Sequence, residues 1–176
     1  MMFEEISPKE FQNNPPVEFG DKWMLLSAGT EEHGYNTMTI AWGHLGAIWH
    51  RRGSAGSMPT AICYVRPSRY TKKFMDAEPY FTLSAFPAGY KKALGYLGSH
   101  SGRDEDKISA AGLHPVHTDG TTYLEEAEMV YICRKVYQAA LLEEGFVDKD
   151  LIDVNYPERD FHDMYIGEIV KVLKKV

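Results

Sequence analysis

Short apolar runs and stretches of apolar–polar alternation recur along this chain, separated by turn-forming residues. A period of two, with many β-branched and aromatic residues, is typical of strands. The pattern therefore predicts about six strands. They lie at residues 23–29, 37–49, 61–65, 80–86, 123–137 and 162–173.

Helical spacing is confined to short segments between the predicted strands. A helix over residues 69–77 would begin after Ser68, a good N-cap, and one over 104–111 would begin at Asp104. Residues 90–97 carry apolar residues at helical spacing. Because helices and strands do not alternate regularly, we expect a mainly β fold with some α: an antiparallel β-barrel with short helices at its ends, not a doubly wound parallel sheet. The absence of a Gly-x-Gly-x-x-Gly after a strand and of a P-loop lysine argues against Rossmann and NTPase units.

The composition is that of an ordinary soluble domain, and residues 1–176 are expected to form one domain. A net charge of −6 argues against a general nucleic-acid binder. No apolar run reaches the roughly 18 residues of a membrane span, and no signal pattern opens the chain, so we expect a cytoplasmic protein without a membrane partner. Cys63 and Cys133 stand in separate apolar runs and are expected to be buried thiols.

The junction between a predicted strand and a predicted helix at residues 60–71 is the first candidate for a functional site. Arg66 and Pro67 end a predicted strand, and Arg69 opens a predicted helix. Free N–H groups at a helix start, beside two guanidinium groups and several hydroxyls, suit a phosphate. A surface arginine pair is the alternative interpretation.

No metal site is predicted. His114 and His117 have loose metal spacing, but they flank Pro115 and no cysteine or carboxylate completes the set. The group Glu31, Glu32 and His33 is likewise incomplete, since a structural zinc site usually has four ligands.

Four separated blocks of the chain resemble the flavin reductase-like family, most closely its flavoredoxin-like branch. The blocks are residues 36–43, 64–71, 98–107 and 160–169. The resemblance runs from about Trp23 to the last residue. It implies a split β-barrel that binds FMN non-covalently and works as a homodimer, with FMN near the subunit interface. The loop 51–58 looks longer than in many relatives, and the acidic segment 141–156 is a candidate for partner docking.

The resemblance implies sites for the phosphate and for the ring of FMN. The residues nominated for the phosphate are Arg66, Ser68, Arg69, Thr71, Ser101, Gly102, Arg103 and Lys107. Those nominated for the ring are Asn36, Thr37, Met38, Thr39, Ser84, Ala85 and Phe86. For Lys107, the alternative is a surface lysine paired with Asp104 on one helix face.

His162, Trp42 and Asn36 are nominated for catalysis. A histidine beside a flavin can orient a nicotinamide, bind a substrate anion or stabilise the charge of reduced flavin. Trp42 would form a wall of the pocket, and Asn36 would bond the ring edge or a substrate. The alternatives are a solvent-facing histidine at a strand start and an ordinary core tryptophan.

The function implied is that of an FMN-dependent oxidoreductase. NAD(P)H would deliver hydride to the flavin, which would pass electrons to a free flavin, a ferric chelate or a protein acceptor. No nicotinamide-binding motif is visible, so an FMN electron carrier or flavin-binding module without NAD(P)H oxidation remains the alternative. A split barrel that holds haem or another ligand in place of flavin is a third.

Overall fold

The computed structural model describes residues 2–176, and β-strands dominate it. The strands are β1 (Phe3–Ile6), β2 (Met24–Thr30), β3 (Gly34–Ile40), β4 (Gly43–His50), β5 (Ser57–Val65), β6 (Tyr80–Ala85), β7 (Pro115–Thr118), β8 (Thr121–Leu124), β9 (Met129–Ala140) and β10 (Asp163–Lys175). The helices are α1 (Pro15–Val17), α2 (Thr71–Ala77), α3 (Lys91–Ser99), α4 (Lys107–Ala110) and α5 (Asp150–Asn155). One π-helical turn (Glu18–Lys22) and two 3₁₀ turns (Ala88–Tyr90 and Glu143–Gly145) complete the regular structure.

Eight strands form one sheet in the order β3-β2-β6-β9-β10-β5-β4, with β1 added alongside β10. Every strand pair is antiparallel, including the separate hairpin β7-β8. The long strand β10 pairs along its first half with β5 and along its second half with β1. No helix in the described part of the chain is long and apolar enough to cross a membrane.

The sheet closes on itself because its two outermost strands are neighbours in the chain. Strands β3 and β4 lie at opposite ends of the strand order, yet only Ala41 and Trp42 separate them. A connection of this length spans at most about 10 Å. The sheet must therefore curl until its ends approach, which gives a split barrel and places Trp42 at the opening.

The alternation along the strands divides the interior into two cores. On β9, Tyr131 and Cys133 pack in one cluster, while Val130 and Ile132 pack in the other. Successive side chains of a strand point to opposite faces, so both faces of β9 are covered. Cys63 and Cys133 are buried, free thiols, as predicted.

The predicted mainly β, antiparallel fold is confirmed, but several element boundaries were wrong. Segment 37–49 contains the end of β3 and most of β4, because the chain changes sheet edge at Ala41 and Trp42. Helix α2 begins at Thr71, and Ser68 does not cap it, because the Arg69 N–H donates to the Arg66 carbonyl and closes a separate turn first.

The helix predicted over residues 104–111 is also shorter than expected. Helix α4 begins at Lys107 and is capped by Asp106, whose carboxylate accepts a hydrogen bond from the Ser109 N–H. Asp104 therefore lies before the helix and shares no helical face with Lys107.

Candidate functional site

A small basic cavity of about 120 Å³ lies where β3, the corner before α2, the end of α3 and the loop 98–103 meet. Arg69, Arg103 and Lys107 line it, and we call it the basic cavity. Among residues 2–176, no aspartate or glutamate lines it. Three cations without a lining acid make this cavity suited to an anion.

Lys107 is the most unusual member of this group, because its side chain is buried with only 4% exposure. Its Nζ donates to the Leu97 carbonyl at 2.8 Å and to the His100 carbonyl at 3.0 Å. Burial, assisted by the nearby Arg69 charge, lowers the pKa of Lys107 to about 8. The ammonium caps the carboxyl end of α3 and keeps one of its three N–H donors for another partner.

The opposite wall of the basic cavity is neutral and tightly packed. Asn36 Nδ2 donates to Thr71 Oγ1 at 2.8 Å, which joins β3 to the first residue of α2. A Cβ on Gly102 would lie 2.3 Å from Asn36 Oδ1, so a larger residue here would have to displace the Asn36 amide, which is bonded to Thr71. Arg103 donates to the Ser68 carbonyl at 3.3 Å and lies over the Tyr70 ring, which ties the two loops together.

A second cavity of about 170 Å³ adjoins the first, since Met38 and Arg69 line both. Trp42, Tyr64 and His162 also line this central cavity. A third, apolar cavity of about 410 Å³ shares Trp42 and Tyr64 with the central one. The three cavities form one row, and the side chains that line it change from cationic in the basic cavity to aromatic in the central and apolar cavities.

His162 stands beside the central cavity and is buried, with 9% exposure. Its Nδ1 lies 2.8 Å from the Tyr156 hydroxyl, and its ring centroid lies 4.9 Å from that of Trp42. Burial, followed by the charge of Arg66, lowers the pKa of His162 to about 4. The imidazole is therefore neutral at pH 7, and the interpretation as a solvent-facing histidine was wrong.

Trp42 is not a core residue, because 44% of it is exposed. It lies at the junction of the central and apolar cavities, next to His162 and Tyr156. The alternative interpretation of an ordinary core tryptophan was therefore wrong.

Arg66 lines the central cavity together with Arg69 and, unlike the other residues nominated for the phosphate, does not line the basic cavity. It pairs with Asp160, and its second amino group donates to the Asn155 carbonyl at 2.7 Å. Its guanidinium carbon lies 5.1 Å from the centre of the Tyr156 ring. Arg66 thus holds the segment before β10 against the end of β5.

Most of the remaining nominated residues do meet at these cavities. Those that line the basic cavity are Asn36, Met38, Ser68, Arg69, Thr71, Ser101, Gly102, Arg103 and Lys107. Those that line the central cavity are Met38, Thr39, Trp42, Arg66, Arg69 and His162.

Four nominated residues lie elsewhere. Thr37 is fully buried and donates to the Leu26 carbonyl at 3.1 Å. Ser84 and Ala85 are buried in the middle of the sheet on β6, and Phe86 belongs to the second core cluster. None of these four lines the basic or the central cavity.

Sequence reasoning missed several aromatic residues of the site. Tyr64 lines the central and apolar cavities, Tyr70 lines the basic cavity, and Tyr156 contacts His162. The alternation in β5 indicates that Tyr64 faces away from its buried neighbours Cys63 and Val65. No comparable sequence signal identifies Tyr156, because the apolar and polar residues around it follow no regular period.

The histidine pair considered for a metal is split in the structure. His114 pairs with Glu126 at 2.6 Å, and Glu125 lies close to both, whereas His117 bonds Thr122 at 2.9 Å. Sequence reasoning did not identify these two carboxylates beside His114, and His117 lies outside the group. The group is an exposed ion pair on the surface.

The sequence of this chain matches the family model described as the flavin reductase like domain over residues 22–175. No curated protein matches the sequence significantly.

Solved structures with less than 25% identity show the same fold. The flavoredoxin of Desulfovibrio vulgaris (Miyazaki F) has 22% identity and a TM-score of 0.63, over 87% of this chain and 69% of its own. The FMN-binding protein of Thermus thermophilus, solved with p-hydroxybenzaldehyde, has 22% identity and a TM-score of 0.64, over 94% of this chain and 80% of its own. The NADH:FAD oxidoreductase of Streptomyces globisporus, solved with NAD and FAD fragments, has 15% identity and a TM-score of 0.59, over 88% of this chain and 74% of its own. With nearly the whole chain inside the family model, this protein belongs to the flavin reductase-like family.

Proposed function

We propose that this protein binds FMN non-covalently and uses it to pass reducing equivalents from NAD(P)H to an electron acceptor. The observation that carries the proposal is the buried Lys107, which has Arg69 and Arg103 beside it and no acidic residue lining the same cavity. An uncompensated buried charge is costly, and a phosphate would neutralise it. The family and the FMN-binding protein among the similar folds support FMN as the ligand.

The residues present fit the parts of FMN in order. Lys107, Arg69 and Arg103 would hold the phosphate, and the close packing of Gly102 on Asn36 leaves that wall free of side-chain bulk. The adjoining central cavity offers aromatic walls for a flat ring from Trp42 and a polar group from His162.

Bound FMN supplies the redox chemistry, since a flavin accepts a hydride and releases electrons. The side chains of this protein would bind, orient and shield it. Trp42 would restrict access of water from the apolar cavity, and the neutral His162 would offer a hydrogen-bonding nitrogen to the group that reacts with the flavin. Arg69 carries positive charge between the two cavities, where it would favour the more anionic states of a bound flavin.

The deciding experiment is an absorption spectrum of the purified protein, followed by anaerobic addition of NADH and then NADPH. We expect flavin bands that either nucleotide bleaches. Flavin bands that persist with both nucleotides would identify an electron carrier instead. A protein without flavin bands that also fails to take up added FMN would refute the proposal, and a Soret band would indicate haem.

Replacing His162 should affect reduction more than cofactor retention. For His162→Gln we expect NADH-dependent reduction to slow about tenfold, the effect of one strong hydrogen bond to the reacting partner. FMN affinity should stay within about twofold, because the basic cavity does not include His162. Stopped-flow bleaching and FMN titration measure the two quantities. His114→Gln, at an exposed histidine that lines none of the three cavities, is the control, and a loss of FMN affinity without a change in rate would contradict this role.

We also propose that the protein is a homodimer. The observation in favour is the exposed apolar surface of the edge strand β4, where Ile48 is 38% and Trp49 is 45% exposed. Exposed apolar edge strands are usually covered in native proteins. Sedimentation should give twice the chain mass, and Trp49→Lys should shift the mass to that of one chain. A single-chain mass for the unaltered protein would refute the dimer.

A further inference from the structure

We propose that Tyr156 is a positioning residue that holds His162 as the Nε2–H tautomer, so that the imidazole presents one neutral hydrogen-bond donor to the central cavity. The proposal deepens the proposed function and rests on it for its catalytic meaning.

The two side chains meet out of contact with bulk water. Tyr156 is 3% exposed and His162 is 9% exposed, and the Tyr156 hydroxyl lies 2.8 Å from Nδ1. His162 also has a fixed backbone, since its carbonyl accepts a hydrogen bond from the Leu141 N–H at 2.9 Å. The contact is therefore set by packing on both sides.

Both groups are neutral at pH 7. Burial raises the pKa of Tyr156, so the phenol keeps its proton. Burial and the Arg66 charge lower the pKa of His162, so its ring carries a single N–H. One proton therefore lies between Oη and Nδ1, and only two arrangements are available.

If Nδ1–H donated to the tyrosine, the buried Tyr156 proton would need a second acceptor. Within residues 2–176, the Tyr156 hydroxyl has His162 Nδ1 as its hydrogen-bond partner and no other side chain. An unsatisfied buried hydroxyl is costly, whereas the reverse arrangement satisfies both groups. The hydroxyl then donates to Nδ1, and the remaining proton sits on Nε2, the nitrogen left to the cavity that His162 lines.

The surroundings hold Tyr156 in place for this role. The Arg66 guanidinium lies over its ring and is itself fixed by Asp160 and by the Asn155 carbonyl. Phe161 packs against the ring at 4.8 Å between centroids. A rigid hydroxyl selects one tautomer, as partners of histidine commonly do.

A neutral N–H donor favours one of the roles open to His162. It matches a carbonyl oxygen on an uncharged ring and supplies no positive charge to pair with an anion. The geometry thus points to a carbonyl-bearing, neutral ring as the substrate group that His162 orients.

The test is nitrogen-15 NMR of the histidine rings in the protein without added flavin, with His162→Gln to assign the signals. We expect His162 as the Nε2–H tautomer at pH 7, and Tyr156→Phe to give a mixture of both tautomers. Tyr131→Phe is the matched control, because it removes another buried hydroxyl, bonded to Asn13 at 2.9 Å, from a residue that lines none of the three cavities. An Nδ1–H tautomer in the unaltered protein, or an unchanged tautomer in Tyr156→Phe, overturns the proposal.

Kinetics give a second readout. Tyr156→Phe should slow the NADH-dependent bleaching of bound FMN about fivefold, the effect of one ordinary hydrogen bond, with FMN affinity within about twofold. Equal rates in Tyr156→Phe and Tyr131→Phe would overturn the positioning role. Because the tautomer is measured without flavin, its result stands even if no nucleotide bleaches the unaltered protein, an outcome that would refute the proposed function alone.

Discussion

Lys107→Met should raise the dissociation constant for FMN about 10- to 100-fold, because it removes one charge-assisted hydrogen bond to the phosphate. Methionine has a similar length and stays apolar in a site where the lysine is only 4% exposed. Fluorescence titration of FMN measures the loss. Riboflavin, which lacks the phosphate, should bind the variant and the unaltered protein within about twofold.

A matched variant separates this contact from net charge. Lys92→Met removes the same charge from an exposed position on α3 and should leave FMN binding unchanged. Equal losses for FMN and riboflavin in Lys107→Met would mean that the residue is structural, through the α3 carbonyls that it caps. That outcome would mean that the FMN phosphate binds in another part of the row of cavities.

The same lysine gives FMN binding a defined pH dependence. Its pKa is lowered to about 8 in the free protein, and a bound phosphate dianion would raise it, because opposite charges favour the ammonium. Binding above pH 8 therefore requires proton uptake, and FMN affinity should fall as pH rises from 8 to 9.5. In Lys107→Met, FMN affinity should be flat over that range. A similar fall in the variant would assign the pH dependence to another group.

Local sequence patterns were sufficient to predict that most of the strands exist. They were not sufficient to predict where the barrel closes. The alternation of β10 and the apolar run of β5 could be identified because burial on a sheet face imposes a period of two. The break at Ala41 and Trp42 has no local cause, since it depends on two sheet edges meeting across the barrel. A prediction from sequence therefore joined two strands into one.

The basic cavity could be predicted because its members lie in blocks with recognisable residue types. Asn36, Thr71 and Lys107 are far apart in the chain, yet each block carried its own donors. The position of Arg66 could not be predicted in this way. Its partner Asp160 lies 94 residues later, and no local pattern specifies such a contact.

Gly167→Ala should destabilise the protein by about 1–3 kcal/mol, the usual cost of overpacking a core. A Cβ at this position of β10 would lie 2.6 Å from Phe81 Cζ and 2.7 Å from Cys133 Cβ. Phe81 and Cys133 are at most 1% exposed, so neither can move into solvent. The register of β9 and β10 shifts between Ile166 and Gly167, so the glycine lies at an irregularity of this strand pair. For a chain of this size the melting temperature should fall by roughly 2–12 °C.

Gly46→Ala is the matched control for this prediction, because Gly46 also lies within a strand and a Cβ there meets no atom within 4 Å. Its free energy of unfolding should stay within about 0.5 kcal/mol of the unaltered protein, or rise slightly through the loss of chain entropy in the unfolded state. Urea unfolding measures both variants. If overpacking is the cause, adding Phe81→Leu to Gly167→Ala should cost less than the sum of the two single changes, because the smaller side chain makes room for the methyl group. Strict additivity, or an unchanged midpoint for Gly167→Ala, would show that the strands can separate enough to admit a side chain. The close approach of Gly167 to Phe81 would then not be what keeps a glycine at the centre of the barrel.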